Sequence, residues 1–472
     1  MPTTLLRDSR ALAALAVPLI LTQLAQVALT TTDTVMMGLL GTEELAAGGL
    51  ALVIFNQLRT MGVGLLTSVG NQVATAAART ELTADATEPP SEGATKGERE
   101  AAHAEIRALV RASLVLATLA GLAGAVLMLL IGQALIWLGQ DAAVAERTRA
   151  MLLALAPGLL PCLWFQAIRQ FTVGMRRPQA LLQITLASIA VNAGLNWVFL
   201  HGTWGLPRLG LTGIGVATST VHLLSCLALY LSAKKDAQLA PLLSLNAAKA
   251  DRATSLRLVG LGVPIAATYG SEAGFFSLTA LMAGSFGPAA LAAHTAVNQL
   301  VYIVFQVAVG ISHAASINVS RELALGRTDD ARRLKNTALA CAAAVMTLVG
   351  IAYLSVPRVV LFPFLDSGSE QALGIATHLL MVTAVLQFFD CAQNIGVGLL
   401  RGLDDTKSGF RITLIGYWAV GLPASWLLAY ALDLATLGIW LGLLTGLATT
   451  ALLLLRRYTQ QLAGHRSQPV PA

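Results

Sequence analysis

Apolar residues run in long stretches along most of the chain, divided by short polar connectors. Read by these runs alone, the sequence predicts twelve helices: 11–38, 45–77, 106–133, 148–174, 178–201, 209–233, 255–284, 288–320, 333–356, 371–400, 408–431 and 435–456. Each is longer than the roughly 20 residues a helix needs to cross the hydrocarbon core of a bilayer. Inside lipid a backbone has to satisfy its own hydrogen bonds, so only helices or a closed barrel are open to it. Stretches such as Ala108 to Ile136 show no two-residue alternation, which excludes barrel strands. The expected fold class is therefore an all-α membrane protein whose twelve transmembrane helices form two pseudo-symmetric six-helix bundles.

An internal repeat supports the two halves. A shift of 246 residues, without a gap, lays Val17-Pro18 on Val263-Pro264 and Val63-Gly64 on Val309-Gly310. Between them it aligns Met36, Gly38, Gly41, Leu45, Ala46 and Ala47 with Met282, Gly284, Gly287, Leu291, Ala292 and Ala293. A weaker echo pairs Gly174-x-x-Arg177 with Gly398-x-x-Arg401. Six spans per half insert both halves the same way up, related by an axis along the membrane normal, with a site expected between them. The expected division is an N-terminal six-helix bundle over 1–234, a linker over 235–254, and a C-terminal six-helix bundle with a polar tail over 255–472. The connector from Arg79 to Arg107, rich in Glu, Pro, Gly and Ser, reads as a flexible loop.

Charge orients this layout. Of the 31 Lys and Arg, 25 fall at the termini and in the even-numbered connectors, and four on the opposite side. The positive-inside rule then makes both termini cytoplasmic, in a multi-pass protein of the cell inner (plasma) membrane. The chain is 56% hydrophobic and only 12% charged, about half the charge of an ordinary soluble protein. The partner this implies is the lipid bilayer, and no nucleic acid is expected. Cys162, Cys226, Cys341 and Cys391 lie within apolar segments and lack metal-ligand spacing, so they read as small packing residues.

Buried charge is costly in lipid, and ionisable groups inside spans are the first place to seek function. Asp33, Glu272 and Asp390 qualify, and each belongs to a polar stripe at helical spacing. Asp33 follows Gln23, Gln26 and Thr30; Glu272 lies between Thr268 and Thr279; Asp390 joins Thr383, Gln387 and Asn394. Further stripes are His294, Asn298, Tyr302 and Gln306, and Ser188, Asn192 and Asn196. One stripe alone could be a seam of hydrogen bonds between helices. Five on so apolar a chain suggest a shared wet cavity. Low-dielectric surroundings disfavour the charged form of a carboxylate, which can then hold a proton or a cation in turn, the physical basis of antiport. A structural pairing of Glu272 or Asp390 with Arg169, Arg59 or a backbone group is the competing reading. Phe275 and Tyr302 flank the acids, where they could stack on a planar cation or simply pack.

Val17-Pro18, followed by Thr32-Asp33-Thr34-Val35-Met36-Met37-Gly38, resembles the first helix of multidrug and toxic compound extrusion (MATE) transporters. Ala292-Ala293-His294 and Leu400-Arg401-Gly402-Leu403-Asp404-Asp405-Thr406-Lys407 are similar to that family too, and the likeness covers essentially the whole chain. Acids in spans 7 and 10 together resemble its NorM-type branch. The resemblance implies that Glu272 and Asp390 bind the coupling cation, as ligands of sodium if sodium is used, with Asp33 contributing from the first bundle. It implies export of amphipathic cationic drugs or dyes by a monomer, driven by sodium or protons, with no other cofactor and no enzymatic activity. Substrate would meet His294, Asn298, Tyr302, Gln387, Asn192, Asn196 and Phe275.

Three other functions fit the sequence less well. A flippase for lipid-linked saccharides would want basic residues in its cavity, whereas the buried set here is mostly acidic. An intramembrane enzyme lacks an HExxH or paired-Asp signature. A passive channel fits asymmetric stripes with a discrete acid pair less well than binding and release does. Sodium and proton remain open alternatives.

Overall fold

The computed structural model describes residues 2–85, 92–137, 139–205, 207–246, 249–365 and 370–466. The end of the expected polar tail, and 86–91 of the first connector, lie outside the described residues. Within them the first half forms α1 (Pro2–Leu40), α2 (Thr42–Asp85), α3 (Glu92–Ala134), α4 (Ala142–Gly174), α5 (Gln179–His201) and α6 (Gly210–Lys235). The second forms α7 (Arg252–Gly284), α8 (Pro288–Ala324), α9 (Thr328–Ser355), the short α10 (Pro357–Leu361) and α11 (Glu370–Gly402). It closes with α12 (Thr406–Leu414), α13 (Leu422–Trp426) and α14 (Ala435–Arg466). Wider π-helical turns follow α12 and α13, at Ile415–Gly421 and Leu427–Ala431, so that Thr406–Ala431 is one continuous span.

Eleven helical segments among the described residues are long and apolar enough to cross a membrane. The twelfth span is α7, whose 33 residues reach about 50 Å. Tyr269, Ser271, Glu272 and Pro264 dilute its apolar run. Lipid-facing surfaces are plain from exposure: Leu119, Leu122, Val126 and Leu130 line one face of α3, and Leu224, Leu227 and Leu231 one face of α6. Asp33, Glu272 and Asp390 are buried. In lipid it is the polar groups that must be enclosed.

Helix ends follow local chemistry. Asp141 caps α4, accepting from the N–H groups of Ala143 at 2.9 Å and Val144 at 3.4 Å. Gly41 and Gly287, a repeat pair, make the turns from α1 to α2 and from α7 to α8 with φ of 136° and 104°. That backbone region is open to glycine and strained for other residues, so the repeat is conformational as well as sequential. The first connector departs from the flexible loop expected at 79–107. Helix α2 continues to Asp85 and α3 begins at Glu92, because Ala, Glu and Arg are good helix formers. Arg79 meets Glu105 across the two helices at 2.9 Å.

Two compact units result. Leu21–Ala266 forms the N-terminal unit; Met1–Ile20 joins Ala267–Ala472 in the C-terminal unit. The boundaries thus fall inside α1 and α7 and not in the 235–254 connector. That connector stays with the N-terminal unit: Arg177 pairs with Asp236 at 2.5 Å and Arg111 donates to Ser244 at 2.7 Å. Within the C-terminal unit the first part of α1 lies on α8, where Gly310 leaves no room for a Cβ beside Ile20. Within the N-terminal unit the first part of α7 lies on α2 in the same way, Gly262 against Leu65.

The two units pack alike. Helix α4 is central to one, against α2, α3 and α6, with α5 on α6; α11 holds the same place in the other, against α8, α9 and α14. Gly174 of α4 sits on α2, where a Cβ would stand 2.6 Å from the Gly70 carbonyl. Gly398 of α11 sits on α8, where it would stand 2.6 Å from the Ser312 carbonyl. Small residues let helix backbones approach closely where lipid supplies no hydrophobic drive.

Candidate functional site

Glu272 on α7 and Asp390 on α11 are both buried in the C-terminal unit and near enough for their charges to act on each other. Tyr417 donates its hydroxyl to Glu272 Oε1 at 2.8 Å. Asn394, one turn beyond Asp390, donates to Asp390 Oδ1 at 3.2 Å and to its carbonyl at 2.9 Å. Among the described residues neither acid has a Lys, Arg or His within 4.0 Å, so the competing structural ion pair is absent. Arg169 is in the N-terminal unit, bonded to Gln23 and Gln166 at 3.2 Å each.

Tyr417 reaches Glu272 because of its backbone. It lies in the π-helical turn Ile415–Gly421, which re-aims side chains relative to a regular helix and recurs at functional sites. Gly416 and Gly421 on this turn press against α14, where their Cβ atoms would meet Thr450 and Gly446. Phe275, one turn past Glu272, stacks on the Tyr417 ring at 4.9 Å with 6° between planes. Phe275 is fully buried, so it supports the tyrosine. The sequence signal for Tyr417 was slight: a mid-span tyrosine, whose hydroxyl needs a partner once buried.

Other expected site residues are spread through this unit. His294 on α8 is buried and accepts a hydrogen bond at Nδ1 from Trp440 Nε1 at 3.2 Å. Its Nε2 has no hydrogen-bond partner. Asn298 is half-buried; Tyr302 is 45% exposed and stacks on Phe305. Gln387 donates to the Met346 carbonyl at 2.9 Å and ties α11 to α9.

A second buried acid organises the N-terminal unit. Asp33 Oδ1 accepts from Asn192 at 2.6 Å and Asn196 at 2.8 Å, and Oδ2 from Thr218 at 3.0 Å. Both α5 asparagines, expected to face substrate, donate their amide N–H groups to this carboxylate. Their own Oδ1 atoms are buried without hydrogen-bond partners. Beside them α1, α2, α4, α5 and α6 enclose a cavity offering about 70 Å³ to water-sized groups. Since one water takes roughly 10–15 Å³ by this measure, the cavity holds several. Arg59 also lines it, held through Nε by Asn56 Oδ1 at 3.2 Å. His222 on its wall stacks on Phe55, in keeping with a packing role. Thr218 escaped the sequence reading because nothing marks one threonine on an apolar helix as a carboxylate donor.

No group of three or more His, Cys, Asp or Glu among the described residues could hold a metal ion. Lipid-facing helices enclose acids that have no basic partner among the described residues, a pattern that fits a membrane transporter. The chain matches the MatE family over residues 100–198 and 264–427. It is 34% identical over 453 residues to "Probable multidrug resistance protein NorM" of Pseudomonas aeruginosa, covering 94% of this chain and 88% of that one. It is 32% identical over 463 residues to the multidrug resistance protein NorM of Burkholderia vietnamiensis, covering 97% and 95%. The bent form of the Vibrio cholerae MATE transporter VcmN shares its fold, with a TM-score of 0.81 at 16% identity over 98% of this chain and 99% of that one. The chain belongs to the MATE family, with relatives of the NorM kind, and is a multidrug efflux transporter and not an enzyme.

Proposed function

We propose that this chain is a secondary active antiporter that exports amphipathic organic cations in exchange for protons or sodium ions taken up at Glu272 and Asp390. The observation that carries this is two buried acids in the C-terminal unit, Glu272 and Asp390, each held by a neutral donor and with no basic partner among the described residues. Two buried carboxylates in one low-dielectric unit resist ionising together, so the pair favours uptake of one positive charge. A proton satisfies that demand at one oxygen. A sodium ion would instead use the carboxylate oxygens, joined by the Asn394 side chain and neighbouring hydroxyls. Tyr417 holds Glu272 as an acceptor and positions it. Asp33 is a second acidic centre, where the unpartnered oxygens of Asn192 and Asn196 favour a cation or an N–H donor. Exchange follows when ion and substrate compete for the same negative charge.

The remaining assignments rest on the same reading. The protein works as a monomer in the inner membrane with both termini cytoplasmic, as its 25 basic residues on that side imply. Drug contacts are sought at His294, Asn298 and Tyr302 on α8, where His294 Nε2 is free to donate. The test is dye efflux from proteoliposomes under separately imposed sodium and pH gradients, with Glu272→Gln and Asp390→Asn alongside the parent. Loss of gradient-driven efflux in both variants is expected. Parent-like transport in both under either gradient would overturn the coupling site, and dye movement needing no gradient would mark a passive pore.

A further inference from the structure

Arg59 is the charge that ion exchange leaves without a task. A guanidinium inside a membrane span is expensive, and such residues turn toward a cavity or a partner. Arg59 lines the same N-terminal cavity as Asp33, yet the two form no ion pair. Among the described residues no carboxylate lies within 4.0 Å of it. Asn56 holds Nε at 3.2 Å, which leaves the two terminal nitrogens of the fork for another acceptor. A planar fork of this kind matches a carboxylate through two parallel charge-assisted hydrogen bonds.

We propose that Arg59 determines specificity by seating the carboxylate of zwitterionic substrates, whose cationic end faces Asp33 in the same cavity. This rests on the efflux reading above and adds to it a residue that discriminates among substrates. The charge pattern is the argument. A purely cationic molecule is attracted by Asp33 but repelled by Arg59, while a molecule with separated opposite charges meets both favourably. Asp33 is already served by three uncharged donors, so Arg59 is not needed to hold it in place. Asp33 and Arg59 both line this cavity, which has about 70 Å³ open to water-sized groups, so one molecule entering it meets both charges. The hydroxyls of Ser188 and Ser225, 2.6 Å apart on the same wall, add polar contacts.

Rhodamine B and its ethyl ester test this directly, because they share a ring system and differ only in whether the carboxyl group is free. Initial efflux of each dye is measured with the full chain in proteoliposomes, for the parent, Arg59→Gln and Arg59→Lys. Arg59→Gln is expected to lower the ratio of the rhodamine B rate to the ester rate about tenfold, the size of one lost charge-assisted contact. Arg59→Lys should keep part of that ratio, since charge remains but the fork does not. An unchanged ratio in Arg59→Gln overturns the proposal, as does equal loss of both dyes. Should that variant fail to insert, the parent decides: rhodamine B must bind more tightly than its ester in a fluorescence titration, and equal or weaker binding overturns the assignment. Export of the ester with no preference for the acid defeats the Arg59 assignment alone; export of neither dye defeats the efflux reading beneath it.

Discussion

The N-terminal and C-terminal units hold their buried acids in opposite ways on equivalent scaffolds. Asp33 is a single carboxylate wrapped by three neutral donors, with a guanidinium elsewhere in its cavity. Glu272 has one hydroxyl donor and a second acid, Asp390, close by. The 246-residue shift places Gln26 opposite Glu272 and Thr279 opposite Asp33, so the acids are not copies of one another. A duplicated scaffold tolerates this divergence because its backbone contacts depend on glycines such as Gly174 and Gly398, not on the polar stripes. One unit surrounds its acid with neutral donors; the other buries two acids with fewer donors each.

The largest effect should come from neutralising the pair. Asp390→Asn or Glu272→Gln is expected to cut gradient-driven efflux about a hundredfold, near the upper end of ordinary coupling between sites. Asp33→Asn should instead weaken substrate competition while leaving ion uptake measurable, and equal loss of ion-driven currents in all three would erase the distinction between the units. Next in size, Gly398→Leu should destabilise the C-terminal unit by about 1–3 kcal/mol through overpacking on α8, and Gly174→Leu should do the same to the N-terminal unit. Thermal unfolding in detergent reads both, and tolerance of either would show that the repeated close approach is not needed. Smaller again, Tyr417→Phe keeps the stack on Phe275 but removes the donor to Glu272, with an expected loss of about tenfold in efflux rate. Comparable loss from Phe275→Leu would mean that ring packing and not the hydroxyl matters.

The smallest effect compares two acids outside the spans, Asp236 and Asp405. Burial raises each, but hydrogen bonds and an arginine outweigh it and hold both below the usual carboxylate range: Gln238 and Arg177 for Asp236, Ser408 and Arg457 for Asp405. A carboxyl lowered in the folded state stabilises fully above its unfolded value of 3.8, and that contribution is lost as pH falls through the lower folded value. Asp405→Asn also weakens the cap on α12, so a cost of about 1 kcal/mol is expected at neutral pH, shrinking below about pH 3.8. Unfolding measured against pH checks this. A cost that stays constant into acid would assign the effect to packing.

Much of the fold could be read from the chain. Long apolar runs demand helices because lipid offers no partner for backbone groups, and every predicted span lies within an observed helix to a residue or two. Gly41 and Gly287 were legible as a repeat pair, and both proved to be turns at positive φ. The acids were legible too, since charge among apolar residues stands out whatever the fold. The connector at 79–107 misled because its Glu, Pro and Ser suggested a loop, while helix propensity and the Arg79–Glu105 pair extend α2 and α3.

What sequence alone determined is thus what depends on local composition and solvent: helices, their number, the halves and the presence of buried charge. Tertiary structure decided which groups meet. Asn192 and Asn196 both donate to Asp33, a meeting that their spacing along α5 does not show. Tyr417 gave little sign of itself and holds Glu272, because a π-helical turn and glycine contacts with α14 set its direction. The boundary between units lies inside α1 and α7, since contact across space and not the polarity of a connector defines a packed unit. Helix formation follows from neighbours along the chain, whereas pairing of polar groups depends on helix rotation and packing angle, which residue spacing does not encode.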